Sequence, residues 1–195
     1  MTHDKPKAAE IGWHLKRTRS LFESRWFNLR QDLVALPGGE EITYSYVQHP
    51  GAVFVVPLTA EGNFILLRSY RYPIDEWCWE IPSGFLGNPG RAPEDVAREE
   101  LLEEIGGHAT EMIDLGVYFM ANGFASYKAH HFLARGVTIG ASSRPEISEK
   151  IESIESCDRA QVIAMISNGE VNDGESAFAL LRAVAYLGAV PGTAP

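Results

Sequence analysis

The chain has 195 residues, enough for one domain with a full core and a small appendage. It is 45% apolar and 22% charged, an ordinary globular balance, and carries a net charge of −9. That charge excludes a general basic footprint for nucleic acid or an anionic membrane, so a polyanionic ligand must be met by local arginines or a bound metal. The two cysteines, Cys78 and Cys157, lie in apolar surroundings without a CxxC pair, which argues against a disulfide framework or a zinc knuckle. No window approaches the ~18 apolar residues of a membrane span, and the polar start has no apolar leader segment. The expectation is a soluble cytoplasmic protein with neither nucleic acid nor membrane as partner.

Residues 1–20 are mixed and basic and read as a poorly ordered N-terminus. "RWFNLRQDLVALPGGEEITYSYV" predicts two strands around the turn at Pro37-Gly38-Gly39, so residues 21–48 form an N-terminal hairpin region. A second strand pair turns at Ala60-Glu61-Gly62-Asn63. Its runs Ala52–Val56 and Phe64–Leu67 are continuously apolar, as in strands covered on both faces. Trp77–Ile81 predicts a short strand, with Trp77 and Trp79 read as core, before the loop "PSGFLGNPGRAPED".

An acidic helix follows, with Glu94 and Asp95 in its first turn, where the macrodipole favours negative charge. Gly106-Gly107 ends it. Strands at about 112–119 and 129–134 flank the loop "MANGFASYK", and "IESIES" is a further strand candidate. His130 and His131 are adjacent on a strand and therefore point to opposite faces. Two helices, "DRAQVIAMISNG" and "ESAFALLRAVAYLG", close the chain. Helices that must cover both faces of a mixed β-sheet give an α/β class and an α/β/α sandwich, with a small β region at the N-terminus.

The acidic helix poses a physical question. Glu99, Glu100, Glu103 and Glu104 fall on one arc of roughly 140°, while Ala97, Leu101, Leu102 and Ile105 form the opposite, core-facing arc. Glu99–Glu103 and Glu100–Glu104 are like-charged i,i+4 pairs, each costing roughly 0.2–0.5 kcal/mol. Either the face is solvated, or a cation belongs on it. Solvated acidic faces intersperse lysine, whereas the one basic residue here, Arg98, projects away from the arc. Carboxylates at this spacing after a glycine-rich loop fit Mg2+, which takes oxygen ligands and bridges carboxylates to substrate phosphates.

The segment resembles the Nudix box, whose family pattern is GX5EX7REUXEEXGU with U a bulky aliphatic. Glu100, Leu101, Glu103, Glu104 and Gly106 match its E-U-x-E-E-x-G core, and "EIPSGFLG" resembles the strand and loop before it, with Gly84 as the first glycine. The chain departs from the pattern in four places. The loop after Gly84 is one residue longer. The family's first glutamate is replaced by Arg91 and its arginine by Glu99, an exchange that keeps the attraction and implies an Arg91–Glu99 ion pair. The final aliphatic is Gly107. Finally, Tyr127 stands where a loop glutamate is usual. The likeness extends over roughly residues 22–188, through "YRYPIDEWCWEIPSG" and "NGEVNDGESAFALL", and is to the ADP-ribose pyrophosphatase and nucleoside-diphosphate-sugar hydrolase branch.

The resemblance implies a Nudix hydrolase domain over 49–190. It would cleave the diphosphate of ADP-ribose or a nucleoside diphosphate sugar to a nucleoside monophosphate and a sugar phosphate. The implied cofactor is Mg2+, with Mn2+ as the alternative. Glu100, Glu104 and Glu103 are the implied metal ligands and catalytic carboxylates, with the Ser83 carbonyl as a backbone ligand. Arg71, Trp26 and Tyr127 are the substrate-facing candidates. Arg71 would contact the diphosphate, or else pair with Asp75 or Glu76; Trp26 would stack on a base, or else fill the hairpin core. Gly84, Gly106, Arg91 and Glu99 are structural. The catalytic base stays open among Glu103, Glu146, Glu149 and none of them. The alternative reading is a nucleotide-binding sensor that kept the fold and lost turnover. The branch also implies a homodimer through exchanged N-terminal strands.

Overall fold

The apolar run Ala52–Leu58 is buried at every position, which a strand permits only where both faces of its sheet are covered. The structure, a computed structural model, describes residues 5–87, 90–140 and 149–189. Its elements are α1 (Pro6–Glu10), β1 (His14–Glu23), β2 (Asn28–Ala35), β3 (Glu41–Gln48), β4 (Ala52–Leu58), β5 (Phe64–Arg71), β6 (Glu76–Glu80), β7 (Ser83–Phe85), α2 (Pro93–Ile105), β8 (Gly107–His108), β9 (Glu111–Met120), β10 (Ala125–Arg135), β11 (Thr138–Ile139), β12 (Ile151–Cys157), α3 (Arg159–Ser167) and α4 (Gly174–Ala189). They divide into two compact units, one of residues up to Pro50 with Phe119–Lys128, the other of Gly51–Tyr118 and the chain from Ala129.

The first unit is an antiparallel meander of β1, β2 and β3, with the start of β10 parallel to β3 at Ala125↔Val47. Asp32, fully buried on β2, accepts hydrogen bonds from Lys5 Nζ at 3.0 Å and Tyr46 Oη at 3.2 Å. The span 1–20, expected to lack regular structure, contains α1 and most of β1. The alternation in "HLKRTRSLFE" is weak because nearly every residue of β1 is exposed, so hydrophobic period could not mark the strand.

In the second unit, β10, β4, β5 and β12 lie side by side, β10 parallel to β4 and β12 antiparallel to β5. On one face Val53, Val55, Ile65, Leu67, Phe132 and Ala134 pack against Val96, Ala97, Leu101 and Ile105 of α2. On the other, Phe54 stacks on His131, whose ring meets Phe178 of α4 edge-on. Helices thus cover both faces of a mixed sheet, the sandwich that the element order predicts. His131 is fully buried and His130 half-buried, as adjacent strand residues on opposite faces. α3 starts at a capping box in which Asp158 and Gln161 exchange hydrogen bonds.

Helix α2 runs from Pro93 in its first turn to a left-handed C-cap at Gly106, φ 66°. Fully burying Val96, Leu101 and Ile105 is worth roughly 1.5–3 kcal/mol each, several times the cost of two repelling i,i+4 pairs; packing therefore holds the acidic helix in place. Its buried arc is not the one expected. Leu102 is 40% exposed, while Glu104 is only 6% exposed. Leu102 lies ~100° around the axis beyond Leu101, and the inward arc is rotated to take Val96 and Glu104 instead. Trp77 and Trp79, expected in the core, are half-buried; Cys78 between them and Glu80 at the strand's end are the buried members of β6.

Candidate active site

The site lies where two strands of the second unit separate. β4 and β5 are in register at Leu58↔Phe64 beside their turn; farther along, β4 pairs with β7 and β5 with β6. The chain crossing from β6 to β7 is Ile81-Pro82, and the carbonyl of Pro82 accepts from Val55 N–H at 2.9 Å. This places Ser83 opposite Phe54 and Gly84 opposite Val53, against α2. A Cβ at Gly84 would run into the Glu100 carboxyl group, so only glycine lets that glutamate lie on the strand.

Glu100, Glu104 and Glu149 each offer an oxygen within 4.8 Å of the others. Two come from α2 and the third from the residues just before β12. Glu104 is the buried one. Its carboxyl is held well above the usual carboxylate range, first by burial and then by the charges of Glu149 and Glu100; a hydrogen bond from the Ser83 backbone and the charge of Arg71 only partly offset this. Three crowded carboxylates, one of them buried, suit a hard divalent cation, which would neutralise what the protein alone leaves repelling.

Not all of the sequence-predicted residues belong to this cluster. Glu103, half-buried on α2, lies outside the three-carboxylate set. Arg91 Nη1 and Glu99 stand 2.7 Å apart, and both are part-exposed, so the pair is worth about 0–1 kcal/mol. Arg98 turns back to Glu94 at 2.8 Å and relieves none of the acidic arc. Trp26 and Tyr127 belong to the first unit. Trp26 is exposed beneath the Arg25 guanidinium, 4.0 Å from ring centre, which removes it from the hairpin core. The Tyr127 ring lies 4.4 Å from that of His49. Glu146 lies outside the described residues.

Arg71 pairs with neither Asp75 nor Glu76. Its Nε donates to both oxygens of Glu80 at 2.8 and 2.9 Å, and its Nη2 donates to Oε2 at 2.6 Å. Asp75 instead accepts from Tyr70 Oη at 2.7 Å. Burial lifts the Glu80 carboxyl above its ordinary range, against the pull of Arg71. The Glu80 bonds hold the Arg71 guanidinium still more firmly protonated, with Glu104 and Asp173 adding to this. Sequence reasoning assigned Glu80 nothing. The available signal was a carboxylate ending the apolar strand "WCWEI", because a charge in such flanks needs a partner.

Comparison with known proteins follows the same lines. Residues 13–47 match the model of the nucleoside diphosphate sugar hydrolase N-terminal domain, and residues 48–178 match that of the NUDIX domain. The chain belongs to the Nudix family, and it is a hydrolase. It is 29% identical over 160 residues to the ADP-ribose pyrophosphatase of Bacillus subtilis (strain 168), covering 82% of this chain and 86% of that protein. It is 33% identical over 132 residues to an ADP-ribose pyrophosphatase of Mycobacterium tuberculosis (strain ATCC 25618 / H37Rv), covering 66% of this chain and 62% of that one. A crystal structure described as an ADP compounds hydrolase superposes with a TM-score of 0.80 at 20% identity, over 93% of this chain and 97% of that chain; at that identity it speaks to the fold. Among the described residues no helix is long and apolar enough to cross a membrane.

Proposed function

We propose that the enzyme hydrolyses the diphosphate of ADP-ribose or a related nucleoside diphosphate sugar, releasing a nucleoside monophosphate and a sugar phosphate. The observation that carries this reading is the gathering of Glu100, Glu104 and Glu149 with a charged arginine, Arg71, acting electrostatically on Glu104. Carboxylates to hold cations and a guanidinium to hold phosphate oxygens are the two elements that phosphoryl transfer requires.

Glu100, Glu104 and Glu149, with the carbonyl of Ser83, are the groups that would hold Mg2+, or Mn2+ in its place. When bound, that ion neutralises charge developing on the phosphoryl oxygens. Arg71 binds the diphosphate. Glu149 enters from a chain segment separate from α2, and we assign to it the task of the loop carboxylate displaced by Tyr127: accepting a proton from the attacking water. Glu103 supports the site from outside the trio. A sensor without turnover would gain nothing from three mutually repelling carboxylates drawn from two segments.

Incubating the protein and Mg2+ with a panel of nucleoside diphosphate sugars and ADP-ribose tests the proposal through detection of the two monophosphate products. Release that stops on adding EDTA is the expected result. Thermal shifts with the same panel but without release would instead establish the sensor.

The proposal includes a homodimer. β1 presents Leu15, Leu21 and Phe22 to solvent on an almost wholly exposed edge strand, a surface that recruits a further chain. Sedimentation equilibrium is expected to return twice the chain mass; a single chain at micromolar concentration would remove this part. Two buried, unpaired thiols support placing the protein in the reducing cytoplasm.

A further inference from the structure

Arg71 ends β5 and lies in strand register with Glu76, yet its guanidinium goes to Glu80. Glu76 is exposed. Glu80 is 3% exposed, and a carboxylate so placed requires a partner. The mount behind Glu80 is firm: the next residue, Ile81, donates its N–H to Ser176 Oγ at 3.2 Å, and Ser176 N–H in turn donates to Asp173 Oδ2 at 2.8 Å. The end of β6 is thus tied to the start of α4.

The three bonds occupy Nε and one proton of Nη2. Nη1 and the outer proton of Nη2 have no partner among the described residues, and the Arg71 side chain remains 46% exposed. The Tyr70 N–H, one residue before Arg71, donates to the carbonyl of Lys150 at 3.0 Å, which brings the backbone of Glu149 alongside, and the charge of Glu104 acts on this arginine. An untethered guanidinium beside three crowded carboxylates would fold onto them, because a bidentate arginine–carboxylate pair is among the strongest side-chain contacts. It would then occupy the oxygens that a cation needs.

We infer that Glu80 is a positioning residue for the hydrolytic site: it fixes the Arg71 fork so that Nη1 faces the substrate diphosphate, and it holds that cation off Glu100, Glu104 and Glu149. The inference rests on the proposed reading of Arg71 and of the carboxylate trio. It gives Glu80 two separable effects, one on substrate binding and one on metal binding. A residue that merely stabilised the fold would show neither pattern.

The test compares wild type with Glu80→Gln, Glu80→Asp, Arg71→Ala and the Arg71→Ala/Glu80→Gln double variant. Mn2+ binding is read by electron paramagnetic resonance without substrate, and KM and kcat are read with the substrate found active. In Glu80→Gln, KM is expected to rise about tenfold or more, the loss of one charge-assisted hydrogen bond, with kcat falling far less. Mn2+ affinity is expected to drop several-fold in the same variant and to return to the wild-type value in the double variant, where no guanidinium competes. Glu80→Asp retains the charge and should lie between wild type and Glu80→Gln in both readings. Wild-type KM and Mn2+ affinity in Glu80→Gln would overturn the inference, as would a double variant that binds Mn2+ as weakly as Glu80→Gln. Those outcomes leave the underlying reading intact. A wild-type protein that binds no Mn2+ would instead overturn both.

Discussion

Glu104→Gln is expected to lower turnover by roughly a thousandfold or more, the scale of removing a group that stabilises the transition-state charge, while raising the melting temperature of the chelator-treated protein. The two halves of this expectation share one cause. Glu104 is buried beside two carboxylates, and a charge in that position costs several kcal/mol when nothing neutralises it. The amide has the same shape without the charge, so metal-free protein gains stability. Adding Mn2+ should reverse the order, because a ligand stabilises only the form that binds it. Glu103→Gln is the control. It lies on the same helix but outside the trio, and a loss of about tenfold, typical of a supporting residue, is expected there. Glu104→Gln with wild-type turnover would sink the assignment. Equal melting temperatures with and without Mn2+ in the wild type would sink the metal site.

Much of this was legible in the chain because the features involved are local. Continuous apolar runs marked β4 and β5 as strands covered on both faces, and the spacing of Ala97, Leu101 and Ile105 marked one side of α2. The glutamates of that helix announced themselves by their mutual repulsion. What escaped was set by tertiary geometry. Leu102 and Glu104 differ from expectation because helical period fixes which residues share a face, and the sheet decides how far that face is rotated. β1 escaped because an exposed edge strand has no buried side to alternate with. The partner of Arg71 could not be read from spacing: Asp75 and Glu76 are nearer in sequence, but only Glu80 is buried deeply enough to demand a cation. Glu149 was within sight as one of several acidic residues after "NGFASYK". No local pattern separates it from its neighbours, since what distinguishes it is its approach to two carboxylates on a helix about forty-five residues earlier.

The protein is expected to lose stability as pH falls from about 6.5 to about 4, through one histidine distant from any carboxylate of the trio in sequence. His131 is fully buried, and neither ring nitrogen has a hydrogen-bond partner among the described residues. Its ring is enclosed by Phe54, Tyr118 and Phe178 at centroid distances of 5.6, 5.4 and 5.4 Å. The Tyr118 hydroxyl and Arg182 Nη2 both donate to the Leu115 carbonyl instead. Burial, with the nearby His130 and Arg182 adding to it, lowers the His131 pKa from 6.5 to about 4. Between those values the unfolded chain takes up a proton that the native chain refuses, so stability rises with pH across the window. The contribution is fully present above pH 6.5 and is lost progressively below it, amounting to about 3 kcal/mol, a substantial share of the 5–15 kcal/mol typical of a domain. Urea titrations from pH 4 to 7.5 on wild type, His131→Phe and His131→Leu measure it. Carboxylates titrate in the same range in all three proteins, so the difference between the curves isolates the imidazole. Both variants should show a shallower acid slope, by up to one proton, even if cavity or crowding effects offset their stability at neutral pH. Parallel curves throughout would mean that the imidazole finds a proton-compatible environment in the native state, and that its aromatic surroundings do not exclude its charge.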